Sequence, residues 1–313
     1  MKKTLIAAGI AALMTTTAMA EGIGVSMAKF DDNFLTVLRN GIQAQADAAG
    51  LSVQIEDAQD DVAKQLDQIN NFIASGVDAI IVNPVDTSAT QAMSDAAAAA
   101  NVPLVYVNRQ PVNVDTLPDN QAFVASNESE SSRQGFIEQC NQWAAAGKTD
   151  VAVYVMQGQL SNQAAVQRTQ NYYDVIEAGE CKVKVNVIDQ QTANWSRDEA
   201  QSLMTNWLST GAAFDGVLAN NDEMALGAIQ AMKAAGIDMA SVIVSGVDAT
   251  QDALASMQAG ELDITVFQNA AAQGGGALDA AVKLAAGEAV DQKVYVPFEL
   301  VTPANIADYL AKN

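Results

Sequence analysis

The chain has 313 residues, with 16 basic and 37 acidic side chains and a formal net charge of −21. That charge opposes binding to nucleic acid or to an anionic membrane, whose own negative charge repels it. There is no histidine, which removes the commonest general base and the commonest metal ligand, so no cofactor or metal chemistry is expected.

Residues 1–20 read as a secretory signal peptide. Lys2 and Lys3 make the positive start, residues 5–14 the short apolar core, and Ala18-Met19-Ala20 the cleavage site, so the mature chain is expected to begin at Glu21. The apolar run is too short to cross a bilayer, and no later stretch reaches the roughly 18 to 20 apolar residues a span needs. Residue 21 is not Cys, so no lipid anchor is expected and the protein should be soluble and periplasmic. The signal holds two Lys and no acid, so the mature charge is 14 − 37 = −23. The acids are scattered, which marks a solvated surface rather than an interaction tail.

From residue 22 onward one pattern recurs: an Ala-rich helix, a glycine, then a β-branched run. It begins at Gly50 and Gly76 and continues to Gly287. A glycine there closes a helix, because it enters the left-handed region without a Cβ clash. The runs at 53–55, 79–82, 151–155, 183–188, 216–219, 242–244, 264–267 and 294–296 are read as strands. Most are continuously apolar, as expected of strands covered on both faces. Strand and helix alternating at this spacing predict βαβ units, a parallel sheet and right-handed crossovers with helices on both sides. Pro111 and Pro118 break the alternation, so a domain boundary is placed at 113–127, and the run at 122–125 reads as a hinge strand. Gly274-Gly275-Gly276 is read as opening or interrupting a helix. Trp143 and Trp207 lie on amphipathic helices and are expected in the core.

The stretch at 214–227 organises the functional reading. A short buried strand stops at Asn220 and Asn221, and a helix starts at once with Asp222 and Glu223 in its first turn, where the helix dipole favours acids. Open α/β sheets bind ligands at the carboxyl ends of their strands. Asn221 is read there as a ligand residue or as an ordinary helix cap. Other strand ends carry Asn108 and Arg109, Gln157 and Gly158, Asn194 and Trp195, Asp248, and Gln268. The first strand leads to Phe30, Asp31, Asp32, Asn33 and Phe34, and Arg168 adds a second cation.

This inventory suits a neutral polyhydroxylated ring. Carboxylates and amides bond hydroxyls, a planar Arg fork bridges neighbouring oxygens, and aromatic faces cover C–H surfaces. Each residue also has a plainer reading. Asp248 would cap the helix starting near Thr250, Arg168 would sit in a surface ion pair, and Phe34 would staple its helix to the sheet.

Cys140 and Cys181 are read as a disulfide in an exported protein, with two buried inert thiols as the alternative. Other chemistry is absent. Gly147-Lys148-Thr149 lacks the first glycine of a phosphate loop and follows a helix. No cluster has metal-ligand spacing, and no Ser sits in a G-x-S-x-G elbow.

The segments AIIVNPVD (79–86), VYVNRQ (105–110), QAAVQRT (163–169), ANNDEMALG (219–227), GVDAT (246–250) and VFQ (266–268) resemble the ribose-type periplasmic solute-binding proteins of bacterial ABC importers. The resemblance covers essentially the whole mature length. It implies the type I periplasmic binding protein fold: two doubly wound, Rossmann-like α/β lobes with parallel sheets, joined by three hinge crossings. The expected N-terminal lobe is 21–124 with 269–296, and the C-terminal lobe 125–268 with 297–313. It also implies a ligand in the interlobe cleft, held by Asp32, Phe34, Leu35, Asn108, Arg109, Arg168, Trp195, Asn221, Asp248 and Gln268. A membrane permease and its ATPase are the implied partners; a chemoreceptor is compatible, and a monomer is expected.

Where the ribose-type pattern has Asp, Phe and Phe, this chain has Asn108, Leu35 and Trp195. Together with residues 190–197 and 30–34, these resemble the myo-inositol and rhizopine-binding subgroup, so a cyclitol, best myo-inositol, is expected over ribose or allose. A regulator of the same fold needs a DNA-binding segment where the signal peptide stands, and an exported glycoside hydrolase would pair Asp32 with Asp248. No enzymatic activity is expected.

Overall fold

The computed structural model describes residues 22–312. The signal segment at 1–20 and its cleavage site lie outside the described residues. The chain opens with β1 (Ile23–Met27), α1 (Asn33–Ala49), β2 (Val53–Asp57), α2 (Val62–Ser75), β3 (Ala79–Val82), α3 (Thr90–Ala99), β4 (Leu104–Val107) and β5 (Gln121–Ala125). It continues with α4 (Ser131–Ala145), β6 (Asp150–Gln157), α5 (Gln163–Glu177), β7 (Lys184–Thr192), α6 (Arg197–Leu208), β8 (Gly216–Ala219), α7 (Asp222–Ala234), β9 (Ile243–Ser245), α8 (Gln251–Gln258) and β10 (Thr265–Gln268). It ends with α9 (Ala270–Ala285), β11 (Lys293–Tyr295) and β12 (Phe298–Val301).

Two lobes result. The first holds a six-stranded parallel sheet in the order β11-β5-β4-β3-β1-β2. The second holds a parallel sheet in the order β7-β6-β8-β9. Parallel bridges Ser245↔Ile264 and Asp248↔Phe267 bring β10 alongside β9, and β12 then pairs antiparallel to β10. The chain passes between the sheets three times: after β5, after β10 and after β11.

The apolar runs explain the layering. Strands β1, β3, β4, β5 and β8 are buried along their whole length, because helices cover both faces. In the first lobe, Val25, Leu38, Ile81 and Val105 pack on one face of the sheet, and Ile80, Tyr106, Phe72 and Phe123 on the other. The second lobe repeats this with Met204, Trp207 and Val217 on one side and Phe136, Trp143 and Val153 on the other. Cys140 on α4 is disulfide-bonded to Cys181, with Cα atoms 5.3 Å apart and a sequence separation of 41.

Several expectations change. Gly274-Gly275-Gly276 neither opens nor interrupts a helix; it lies inside α9. A Cβ on Gly274 would lie 2.3 Å from the Leu38 carbonyl oxygen, and one on Gly41 2.8 Å from Ala271 Cα. These glycines let α1 and α9 cross backbone against backbone. The run at 122–125 is an interior strand of the first sheet, between β4 and β11, rather than a connector alone. Strand β7 continues to Thr192, past the expected end at 188, because as an edge strand it carries polar side chains on a half-exposed face. Strand β12 was not anticipated and adds an antiparallel edge to an otherwise parallel sheet.

Candidate functional site

The βα turns of both lobes converge on one small cavity. The first lobe contributes Asp32, Phe34, Leu35, Asn108 and Arg109; the second contributes Arg168, Trp195, Asn221, Asp248 and Gln268. All ten residues expected at the site therefore line the same space. Asn162 and Ala164, from the turn into α5, line it too.

Local structure explains each placement. Asp32 caps α1, its Oδ1 accepting from the Leu35 N–H at 2.8 Å, so one carboxylate oxygen is committed to the backbone. Asn221 caps α7 in the same way, accepting from Met224 N–H at 3.0 Å. It is both a cap and a cavity residue, so the two readings of Asn221 coincide. Asp248 does not cap the next helix, because Thr250 does. Phe34 packs in the first-lobe core and also lines the cavity.

Arg168 is buried rather than on the surface. Its Nε and Nη2 donate to the two carboxylate oxygens of Glu128, each at 2.8 Å, its Nη1 to the Asn220 carbonyl at 2.8 Å, and its Nη2 also to Gln268 Oε1 at 3.0 Å. Its Nη1 lies 3.7 Å from Asp248 Oδ1. Arg109 differs. Its Nη1 donates to the carbonyls of Pro84 at 2.9 Å and Val85 at 3.4 Å, and it forms no ion pair with a described residue.

Backbone strain gathers here. Asn108, Asn194, Trp195, Asp248 and Ala249 all have positive φ, from 52° to 125°. Only a surrounding structure that over-determines such conformations keeps them populated. The Trp195 ring lies so close over Gly158 that a Cβ there would come within 2.2 Å of it. Trp195 Nε1 is buried with no hydrogen-bond partner.

The lobes are tied across the cleft. Thr87 N–H and its hydroxyl donate to the Ser161 carbonyl at 3.0 and 3.1 Å, Gln163 N–H donates to Thr87 Oγ1 at 3.2 Å, and Asn33 Nδ2 donates to Glu223 Oε1 at 2.8 Å. Outside the cavity lies a wider hollow that shares Asp32 and Trp195 with it. Its lining places six carboxylates (Asp31, Asp32, Asp60, Asp198, Glu199 and Glu223) against two cations, Lys29 and Arg197.

A model of the periplasmic binding protein domain matches residues 23–289. The chain belongs to the periplasmic binding protein family. This binding protein is 58% identical, over 100% of both chains, to the "Putative rhizopine-binding protein" of Rhizobium meliloti. It is 30% identical to the ribose import binding protein of Bacillus subtilis, over 90% of this chain and 87% of that one. Among solved structures it resembles an ABC transporter solute-binding protein of Bacillus halodurans with bound myo-inositol. That match has a TM-score of 0.85 and 38% identity, covering 93% of this chain and 97% of the other. The Caulobacter myo-inositol binding protein bound to myo-inositol matches with a TM-score of 0.83 and 28% identity, over 93% and 96% of the two chains. Family and relatives make it a solute-binding protein and not an enzyme.

The binding protein's buried charges follow from their surroundings. Burial pushes the Asp248 carboxyl well above the usual carboxylate range; Arg168 pulls it down, while Asp222, Asp32 and Glu128 push it further up. Burial lowers the Arg109 guanidinium, with Asp32 and Asp60 opposing. Burial would also lower Arg168, but the charge and hydrogen bonds of Glu128 outweigh it and raise the group. Two acids that shape the site were missed by the sequence reading: Glu128, in the turn before α4, and the fully buried Asp222. The only sequence hint of Asp222 was its first-turn position next to Asn221.

Proposed function

We propose that this sugar-binding periplasmic component of an ABC transporter takes myo-inositol or a close cyclitol as its ligand. The observation that carries the reading is the distribution of polar groups around one small cavity. Asp32, Asn108 and Arg109 approach from the first lobe and Arg168, Asn221, Asp248 and Gln268 from the second, with Phe34 and Trp195 as apolar faces. A cyclitol carries a hydroxyl on every ring carbon, so such a shell leaves few buried groups unpaired. A pentose has a ring oxygen and a bare methylene and would strand one or two groups at roughly 1 to 3 kcal/mol each. Leu35 also thins the aromatic platform for a flat pentose. The solved relatives with bound myo-inositol support the same class.

In this reading the ten cavity residues are the ligand contacts. Lobes 21–124 with 269–296 and 125–268 with 297–313 close over the ring by hinge motion. The closed shape is what the permease and its ATPase recognise, and the protein acts as a monomer. Competition calorimetry tests the ligand: myo-inositol is expected to bind more tightly than ribose, allose or galactose. Ribose or another pentose binding at least tenfold tighter than myo-inositol would refute the cyclitol reading and leave the solute-binding role intact.

A further inference from the structure

Asp222 opens α7 directly after the cavity residue Asn221, yet it does not line the cavity and is 0% exposed. It sits behind the 246–250 loop, which leaves β9 and carries Asp248. Its backbone N–H donates to the Val247 carbonyl at 2.9 Å. Its Oδ2 accepts from the Thr250 N–H at 3.0 Å and its Oδ1 from the Thr265 hydroxyl at 2.7 Å. Thr265 Oγ1 in turn accepts from the Ala249 N–H at 3.1 Å. A Cβ on Gly246 would lie 2.3 Å from Asp222 Oδ1, so the loop runs flush against the carboxylate.

Inside this clamp Asp248 and Ala249 hold φ values of 125° and 53°, conformations that residues with a side chain rarely adopt. The hydrogen bonds of one buried carboxylate thus reach the loop at Thr250 and β10 at Thr265, and through the Thr265 hydroxyl the Ala249 N–H next to Asp248.

We propose that Asp222 is a positioning residue for ligand binding: its carboxylate holds the 246–250 loop in the strained backbone conformation that presents Asp248 to the cavity. The inference rests on the cavity being the ligand site. Two acceptor oxygens are required, because the Thr250 N–H and the Thr265 hydroxyl each take a different one. Asp222→Asn keeps the shape but turns an NH2 group against one of those donors. The loop then relaxes and Asp248 leaves its place. Burial also pushes the Asp222 carboxyl up to about 7, so a neutral amide relieves the cost of a buried charge. Affinity is therefore expected to fall without a matching loss of stability.

Calorimetry with myo-inositol on wild type, Asp222→Asn, Asp248→Asn and the double variant tests this. Asp222→Asn is expected to bind at least tenfold more weakly. In the Asp248→Asn background the same change is expected to add less than threefold, because it acts through Asp248. A role confined to folding would not produce that non-additivity. If Asp222→Asn shows no cooperative unfolding transition, Thr265→Val replaces it in the same cycle, with an expected loss of threefold or more. Affinity within threefold of wild type, or fully additive losses, overturns the positioning role alone. A wild-type protein that binds none of myo-inositol, ribose or galactose overturns the ligand reading, and this inference with it.

Discussion

The two arginines of the cavity are expected to fail in different ways. Arg109→Ala removes a guanidinium whose hydrogen bonds go only to carbonyls, so no buried carboxylate is left unpaired. Folding stability should change by only about 1 kcal/mol, because the Pro84 and Val85 carbonyls that lose their donor lie beside a cavity that water can enter. Binding should weaken by roughly 2 to 5 kcal/mol, or about 30- to 5000-fold, because ligand oxygens lose a charged donor. Arg168→Ala strands Glu128, whose carboxylate is 5% exposed and held by two 2.8 Å hydrogen bonds from that guanidinium. Leaving such a charge uncompensated costs about 3 to 5 kcal/mol of stability in addition to the lost binding. Adding Glu128→Gln to Arg168→Ala neutralises the stranded charge, and should recover stability without recovering affinity. Urea unfolding of the ligand-free proteins, together with calorimetry, separates these outcomes. If Arg168→Ala unfolds no more easily than Arg109→Ala, or if Glu128→Gln fails to restore it, the account of the buried pair is wrong.

Gly158→Ala should weaken ligand binding about tenfold or more while the ligand-free protein folds normally, since the new methyl displaces the Trp195 ring; unchanged affinity would show that the ring has room to move. Reducing the Cys140–Cys181 bond, or replacing both residues with Ser, should destabilise the second lobe. The chain-entropy model gives about 4 kcal/mol for a loop of this length, an upper expectation. An unfolding midpoint that ignores reductant would refute it. Stability of the ligand-free protein should also depend on pH with an unusual sign. Burial raises Asp222 to about 7 and Asp263 to about 6, both above the 3.8 of an exposed carboxyl. The folded state therefore holds more protons between those values, and stability falls as pH rises through about 6 to 7. Urea midpoints at pH 5 and pH 8 should show the drop, and Asp222→Asn should flatten it; equal slopes in the two proteins would count against the Asp222 contribution.

Much of the cavity was legible because parallel βα topology carries its functional groups at one kind of place. Once glycines such as Gly50 and Gly76 marked helix ends, residues such as Asn108, Asp248 and Gln268 stood at the ends of the intervening strands. What escaped were groups whose meaning depends on a distant partner. Glu128 looks like one more acid in a polar turn until Arg168, 40 residues later, is seen to close on it. Asp222 reads as a helix-dipole residue, and nothing local says that Thr265 and the 246–250 loop enclose it. Strand β12 is four residues between Pro297 and Pro303, and only its antiparallel neighbour β10 makes it a strand. The three-glycine run reads as a helix breaker because the reason for Gly274 lies on α1.

The acidic hollow that shares Asp32 and Trp195 with the cavity has a consequence for which solutes the site admits. A phosphorylated cyclitol keeps all but one of its parent's hydroxyls, yet beside the cavity it meets six carboxylates against two cations, on a chain of net charge −21. Such a field is expected to lower the entry rate of anions, most strongly at low ionic strength, while leaving neutral solutes untouched. Sorting by charge would then accompany sorting by stereochemistry: the acidic rim disfavours esters, and the cavity reads the arrangement of hydroxyls on neutral molecules. Stopped-flow association of an inositol monophosphate that matched that of inositol in low salt would show the acidic hollow to be indifferent.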